Sequence, residues 1–129
     1  MALKKGYKQL LDEANAEIET ISVEDMLGLQ EDPDVLIIDI RDIRERNNGF
    51  IPNSKHAPRG MLEFWADPDS PYHKDYFASG KKLVLHCASG WRSALAAKAL
   101  QDMGIENIAH IGGGITAWEE AGGTIEGKE

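Results

Sequence analysis

The stretch Leu83-Val84-Leu85-His86-Cys87-Ala88-Ser89-Gly90-Trp91-Arg92-Ser93-Ala94 constrains the fold more than any other part of the chain. Leu83 to Leu85 are apolar and run into the single cysteine of the sequence, Gly90 interrupts the pattern, and Ser93 to Met103 has helical character. The backbone is therefore expected to leave a buried strand at Cys87, turn tightly and enter a helix. The first N–H groups of a helix have no intrahelical partner. Together with the helix dipole they favour negative charge in front of them, and successive amides of a tight loop form an anion-binding nest. A cysteine so placed is favoured as the thiolate and is a good nucleophile at neutral pH. Arg92 adds a permanent cation whose fork suits oxyanions. A strand-end cysteine alone is an ordinary small buried residue. The small residues, the cation and the helix together make Cys87 the candidate catalytic residue, with Ala88, Ser89, Gly90, Trp91, Arg92 and Ser93 around it. For Trp91, half-buried packing is an equal alternative to lining the pocket mouth.

The rest of the chain alternates helices with short strands. Leu3, Tyr7, Leu10, Leu11, Ala14 and Ile18 fall at helical spacing and predict an N-terminal amphipathic helix over residues 1–17, docked by that stripe on a domain spanning 18–125, with a short tail at 126–129. Ile18 to Ile21 reads as a short strand. Ser22 reads as the N-cap of a helix carrying Val23, Met26 and Leu27. Val35-Leu36-Ile37-Ile38-Asp39 is a continuous aliphatic run, the pattern of a parallel strand buried on both faces. Asp39 at its end requires a partner: it accepts local backbone N–H groups or braces the neighbouring loop. A charged helix over Ile40–Asn47, an extended piece over Ser54–Ala57 and a helix start at Pro58 follow. Arg59 and Glu63 in that segment form a surface ion pair or face the site. Residues 66–79 read as a long loop pinned by Tyr72, His73, Tyr76 and Phe77. Leu95, Ala99, Leu100 and Met103 give the stripe of the helix after Cys87, and Ile105–Ile111 holds a last strand. Gly112-Gly113-Gly114 turns the chain into a final helix faced by Ile115, Trp118 and Ala121. Strands alternating with helices predict an α/β sandwich with a parallel sheet.

Composition excludes several classes. The net charge of −8 with no basic run argues against nucleic acid and anionic membrane surfaces as partners. No apolar run approaches the ~20 residues of a membrane span, and Lys8, Gln9, Asp12 and Glu13 interrupt any apolar leader. One cysteine forms no intrachain disulfide, so a reducing cytoplasm is the expected compartment. His56, His73, His86 and His110 lack ligand spacing, so no metal or other cofactor is expected. Ser79-Gly80-Lys81 lacks the glycine a phosphate loop needs, and Gly112 to Gly114 lacks dinucleotide-fold spacing.

The segment Cys87-Ala88-Ser89-Gly90-Trp91-Arg92-Ser93-Ala94 resembles the active-site loop of the rhodanese family of sulfurtransferases. Leu36 to Arg41 through Glu45, then Gly49-Phe50-Ile51-Pro52-Asn53-Ser54, resembles the family's first signature, with Phe50, Asn53 and Ser54 where His, Gly and Ala are usual. Ile111 to Trp118 through Gly122 resembles the second. His56 to Phe64 is similar to a segment of some single-domain bacterial members. The resemblance implies a three-layer sandwich whose mostly parallel central sheet of about five strands carries helices on both faces. It implies transfer of a sulfane sulfur from a small anionic donor such as thiosulfate to cyanide, a thiol or a sulfur-accepting protein, through a persulfide on Cys87. Arg92, Arg59 and the loop backbone would hold the donor, supported by Asp39 and Glu63. Thiosulfate-specialised members often carry a basic residue where this chain has Ala88, so a protein-bound or low-molecular-weight persulfide is an alternative donor. Relatives acting on phosphate or arsenate have one more residue between Cys and Arg than the four found here. A sulfur-carrier module, a phosphatase or arsenate reductase, and a redox sensor in which Cys87 becomes a sulfenic acid are the competing readings.

Overall fold

The computed structural model describes residues 1–127; Lys128 and Glu129, the end of the expected tail, lie outside the described residues. Its centre is a five-stranded, wholly parallel sheet built from β1 (Glu19–Ile21), β2 (Val35–Asp39), β3 (Lys55–His56), β4 (Lys82–His86) and β5 (Ile108–Ile111). The strand order is β1-β5-β4-β2-β3. Parallel neighbours need crossovers, and six helices supply and flank them: α1 (Tyr7–Glu17), α2 (Val23–Leu29), α3 (Ile43–Asn47), α4 (Leu62–Ala66), α5 (Trp91–Asp102) and α6 (Gly114–Glu120). From β2 the chain passes to one side of the sheet, and from β4 to the other. The carboxyl ends of β2 and β4 are therefore the switch point at which open α/β sheets form their crevice. Asp39 ends β2 and His86, just before Cys87, ends β4.

Two apolar layers cover the sheet. One gathers Ile38, Leu83 and Leu85 of the sheet with Ala94, Ala97 and Leu100 of α5, and α1 packs over it through Leu11 and Ala14, with Ile18 just after the helix. The other gathers Ile37, Val84 and Ile111 with Met26 of α2 and Trp118 of α6. The α/β sandwich with helices on both faces is thus as the sequence predicts. Among the described residues no helix is long and apolar enough to cross a membrane.

Several local expectations shift. The buried face of α5 is Ser93, Ala94, Ala96, Ala97 and Leu100, whereas Met103 is exposed. Small residues let the helix approach the sheet closely, and a stripe traced through the larger side chains misses that face. On α1 the face turns inward at Ala14, and Leu3, Tyr7 and Leu10 of the expected stripe are exposed. Helix α3 begins at Ile43, not Ile40: Asp42 caps it by accepting the Arg44 N–H, while Ile40 is buried and its N–H donates to the His86 carbonyl, extending the β2–β4 ladder. Ser22 caps α2 by accepting the Asp25 N–H. In the long loop Phe77 is buried, but Tyr72 is exposed. Glu126 pairs with Phe50 through both backbone bonds.

Candidate active site

Cys87 leaves β4 at the switch point and is 1% exposed. Gly90 is the turn into α5, with φ 102°, a backbone angle that favours glycine. The turn aims two amides at the sulfur: Gly90 N lies 3.1 Å and Ser93 N 3.4 Å from Cys87 Sγ. The Ser93 hydroxyl lies 3.6 Å from the same atom. Donors at the start of α5 thus converge on one sulfur, the arrangement that stabilises a thiolate or a persulfide anion. Ala88 lies half-buried in the cradle and Ser89 is exposed on its rim.

The outside of the cradle is held by a second helix. Ile115 N donates to the Cys87 carbonyl at 3.0 Å and Thr116 N to the Ala88 carbonyl at 3.1 Å. This approach requires Gly114, because a Cβ there would sit 2.6 Å from both carbonyl oxygens. The triple glycine, which in sequence is only a turn, is the contact that fixes the loop. His86, fully buried, adds a ring Nδ1 at 3.1 Å from the Cys87 carbonyl. Burial pulls His86 below the usual histidine range, against the opposing pull of Asp39.

Arg92 stands beside the sulfur with its guanidinium bridged to Glu45 of α3 by two bonds, 2.8 and 3.0 Å. Its pKa is raised first by the Glu45 hydrogen bond, and the Cys87 sulfur contributes further. Glu45 carries no isolated signal in the sequence; only its place in the first signature points to it. Trp91 is 58% exposed beside the cradle and packs against Tyr7 of α1, ring centroids 5.3 Å apart. Arg59 donates its backbone N–H to the carbonyl of Ile40, which places it at the carboxyl end of β2, but its guanidinium is taken by Glu63 at 2.8 Å.

Asp39 is fully buried. It accepts the Arg41 backbone N–H at 3.0 Å and two Arg41 guanidinium bonds at 3.0 and 2.9 Å, with Arg46 at 3.4 Å. Burial alone would raise its carboxyl, yet the Arg41 hydrogen bonds, with the field of His86, leave it below the ordinary range. Arg41 and Arg46 bond onward to the carbonyls of Gly49 and Ser54, so Asp39 ties the wall after β2 together behind the site.

This architecture has known counterparts. Residues 22–121 match the family model of the rhodanese-like domain. The chain belongs to the rhodanese family. It is 31% identical over 101 residues to the thiosulfate sulfurtransferase GlpE of Pseudoalteromonas translucida, covering 78% of this chain and 89% of that protein. It is also 31% identical over 103 residues to the uncharacterised protein slr1261 of Synechocystis, covering 80% of this chain but only 53% of that protein. Among solved structures, a Rhodopseudomonas palustris protein named as of unknown function and possible tyrosine phosphatase is 53% identical, covers 98% of both chains and superposes with a TM-score of 0.93.

The departures from the usual rhodanese signature have physical readings. Asn53, where the family usually has Gly, adopts φ 66°, which Asn tolerates better than most residues. Ser54, in place of Ala, donates to the Ile51 carbonyl and accepts from Arg46. Phe50, in place of His, carries the Arg46 guanidinium 4.5 Å above its ring.

Proposed function

We propose that this rhodanese is a sulfurtransferase that carries a sulfane sulfur on Cys87 from thiosulfate or another persulfide donor to cyanide or a thiol. The observation that carries the reading is the convergence of the Gly90 and Ser93 amides on Sγ at the start of α5. In the first half-reaction the thiolate attacks the outer sulfur of thiosulfate. A new S–S bond forms at Cys87, the donor S–S bond breaks, and sulfite leaves with the electron pair. In the second, cyanide attacks the outer sulfur of the persulfide, thiocyanate leaves, and the electron pair returns to the Cys87 sulfur. Neither half-reaction needs a general base once the sulfur is ionised. The cradle amides hold the anion in both resting forms. Arg92 is the cation for an anionic donor, and such a donor competes with Glu45 for its guanidinium. The four-residue spacing between Cys87 and Arg92 supports sulfur over a phosphoryl group as cargo, because the longer loop of phosphatase-type relatives encloses a tetrahedral oxyanion.

A carrier that hands the same persulfide to a partner protein is the second reading, favoured by the exposed Tyr7–Trp91 pair at the cradle mouth. Steady-state conversion of thiosulfate and cyanide to thiocyanate, lost in Cys87→Ser, is the expected result. A folded protein that neither turns over nor loads sulfur from any donor overturns both readings. Loading without turnover selects the carrier.

A further inference from the structure

One hydrogen-bonded chain reaches the sulfur from behind. The Ser93 hydroxyl, 3.6 Å from Sγ, lies 2.8 Å from Nδ1 of His110 on β5. The other ring nitrogen, Nε2, lies 3.1 Å from the Thr20 hydroxyl on β1, and Thr20 and His110 are register partners in the sheet. Ser93 and His110 are buried, whereas Thr20 is exposed. The chain therefore runs from Cys87 between helix and sheet to solvent at the β1 edge.

Its direction follows from donor and acceptor counting. Burial pulls His110 down to about 4, so the ring is neutral near pH 7. A neutral imidazole has one N–H donor and one acceptor nitrogen. A thiolate or persulfide anion only accepts, so the Ser93 hydroxyl donates to it. The Ser93 oxygen then accepts from Nδ1–H, and Nε2 accepts from Thr20. With a protonated sulfur the same chain runs the opposite way, and the exposed Thr20 hydroxyl turns to suit either direction. The ring meets hydroxyls from α5 and β1, and its register partner on β4 is Leu85, so neither of these bonds involves a charged group. The charged and titratable groups near the sulfur are Arg92 of α5, paired with Glu45 of α3, and behind the site the buried His86 of β4 and Asp39 with Arg41 and Arg46.

We infer that His110 is a positioning residue for Cys87: it holds the Ser93 hydroxyl against the sulfur, and because a hydrogen bond to an anion is stronger than one to a thiol, the held hydroxyl eases formation of the anion. This rests on the sulfur-transfer reading for its purpose but not for its test.

The test follows the rate of Cys87 alkylation by iodoacetamide against pH, on the only thiol in the chain. In His110→Leu the Ser93 hydroxyl loses the partner that holds it on the sulfur and can turn away, and the midpoint of the profile moves up by about one pH unit, the scale of one hydrogen bond to a charged group. Ser93→Ala moves it comparably, and the double variant moves no further than either single, because both cut the same chain. His110→Asn, whose amide can donate to Ser93, keeps the wild-type midpoint. A folded His110→Leu protein with an unmoved midpoint, or a double variant whose shifts add, overturns the inference. Should the buried substitutions fail to fold, nitrogen NMR of the wild-type protein decides: the Nδ1–H tautomer of His110 while Cys87 is ionised supports the chain, and the Nε2–H tautomer contradicts it. Absence of thiosulfate turnover would bear on the sulfur-transfer reading alone, since alkylation needs no sulfur donor.

Discussion

Two helices start against Cys87, each from a glycine of positive φ, and they act on opposite sides of one loop. The start of α5 turns the Gly90 and Ser93 amides inward onto the sulfur. The start of α6 sends the Ile115 and Thr116 amides onto the outward carbonyls of Cys87 and Ala88. A loop can point its N–H groups at an anion only if the carbonyls on its other side find donors of their own. Helix α5 therefore supplies the electrostatics, and α6 supplies the geometry that keeps those amides turned inward.

The sharpest way to break this division is at α6, away from the reacting atom. Gly114→Ala places a Cβ 2.6 Å from two carbonyl oxygens at φ 62°. It should cost about 3 kcal/mol of stability, the sum of overpacking and a left-handed backbone penalty, measured by urea unfolding. The remaining folded protein should lose most of its thiosulfate:cyanide turnover. Full activity per folded molecule would mean that α6 does not shape the cradle.

On the α5 side, Arg92→Ala should raise KM for thiosulfate roughly tenfold or more, the scale of one charge-assisted bond. The melting temperature should barely move, since its partner Glu45 is a half-exposed ion pair. A collapsed melt with unchanged kinetics in the folded fraction would make Arg92 structural.

Behind α5, His110 makes stability depend on pH. The folded chain keeps it neutral down to about 4, whereas the unfolded chain protonates it near the ordinary histidine value of 6.5. Below that value the unfolded state binds more protons, so stability present above it is lost as pH falls. Between pH 7 and 5 the loss should be about 2 kcal/mol from this group, read as a drop in urea midpoint that His110→Asn removes. The smallest effect is expected from Glu45→Gln, which frees Arg92 and should lower KM for an anionic donor about two- to threefold. An unchanged KM would show that Glu45 does not compete with the donor.

What was legible in the sequence is what is contiguous in it. The strand, cysteine, glycine turn and helix occupy one stretch, and their order alone places the cysteine at a helix start. The aliphatic run ending in Asp39 similarly announces a buried strand with a charge to satisfy. What was not legible depends on contacts made by distant residues. Glu45 meets Arg92 only because β2 and β4 are neighbours, His110 meets Ser93 only because β5 lies under α5, and the triple glycine gains its role only when α6 closes on the loop. The stripe of α5 misled for another reason: the face against the sheet is made of alanines, which carry little hydrophobic signal yet allow the closest packing.

The most direct measurement is the intact mass of the wild-type protein after incubation with thiosulfate, and separately with a glutathione persulfide, followed by removal of excess donor. One added sulfur atom, absent in Cys87→Ser and discharged by cyanide as thiocyanate, is the predicted result. A protein that stays folded, alkylates normally at Cys87 and gains no sulfur from either donor would contradict it.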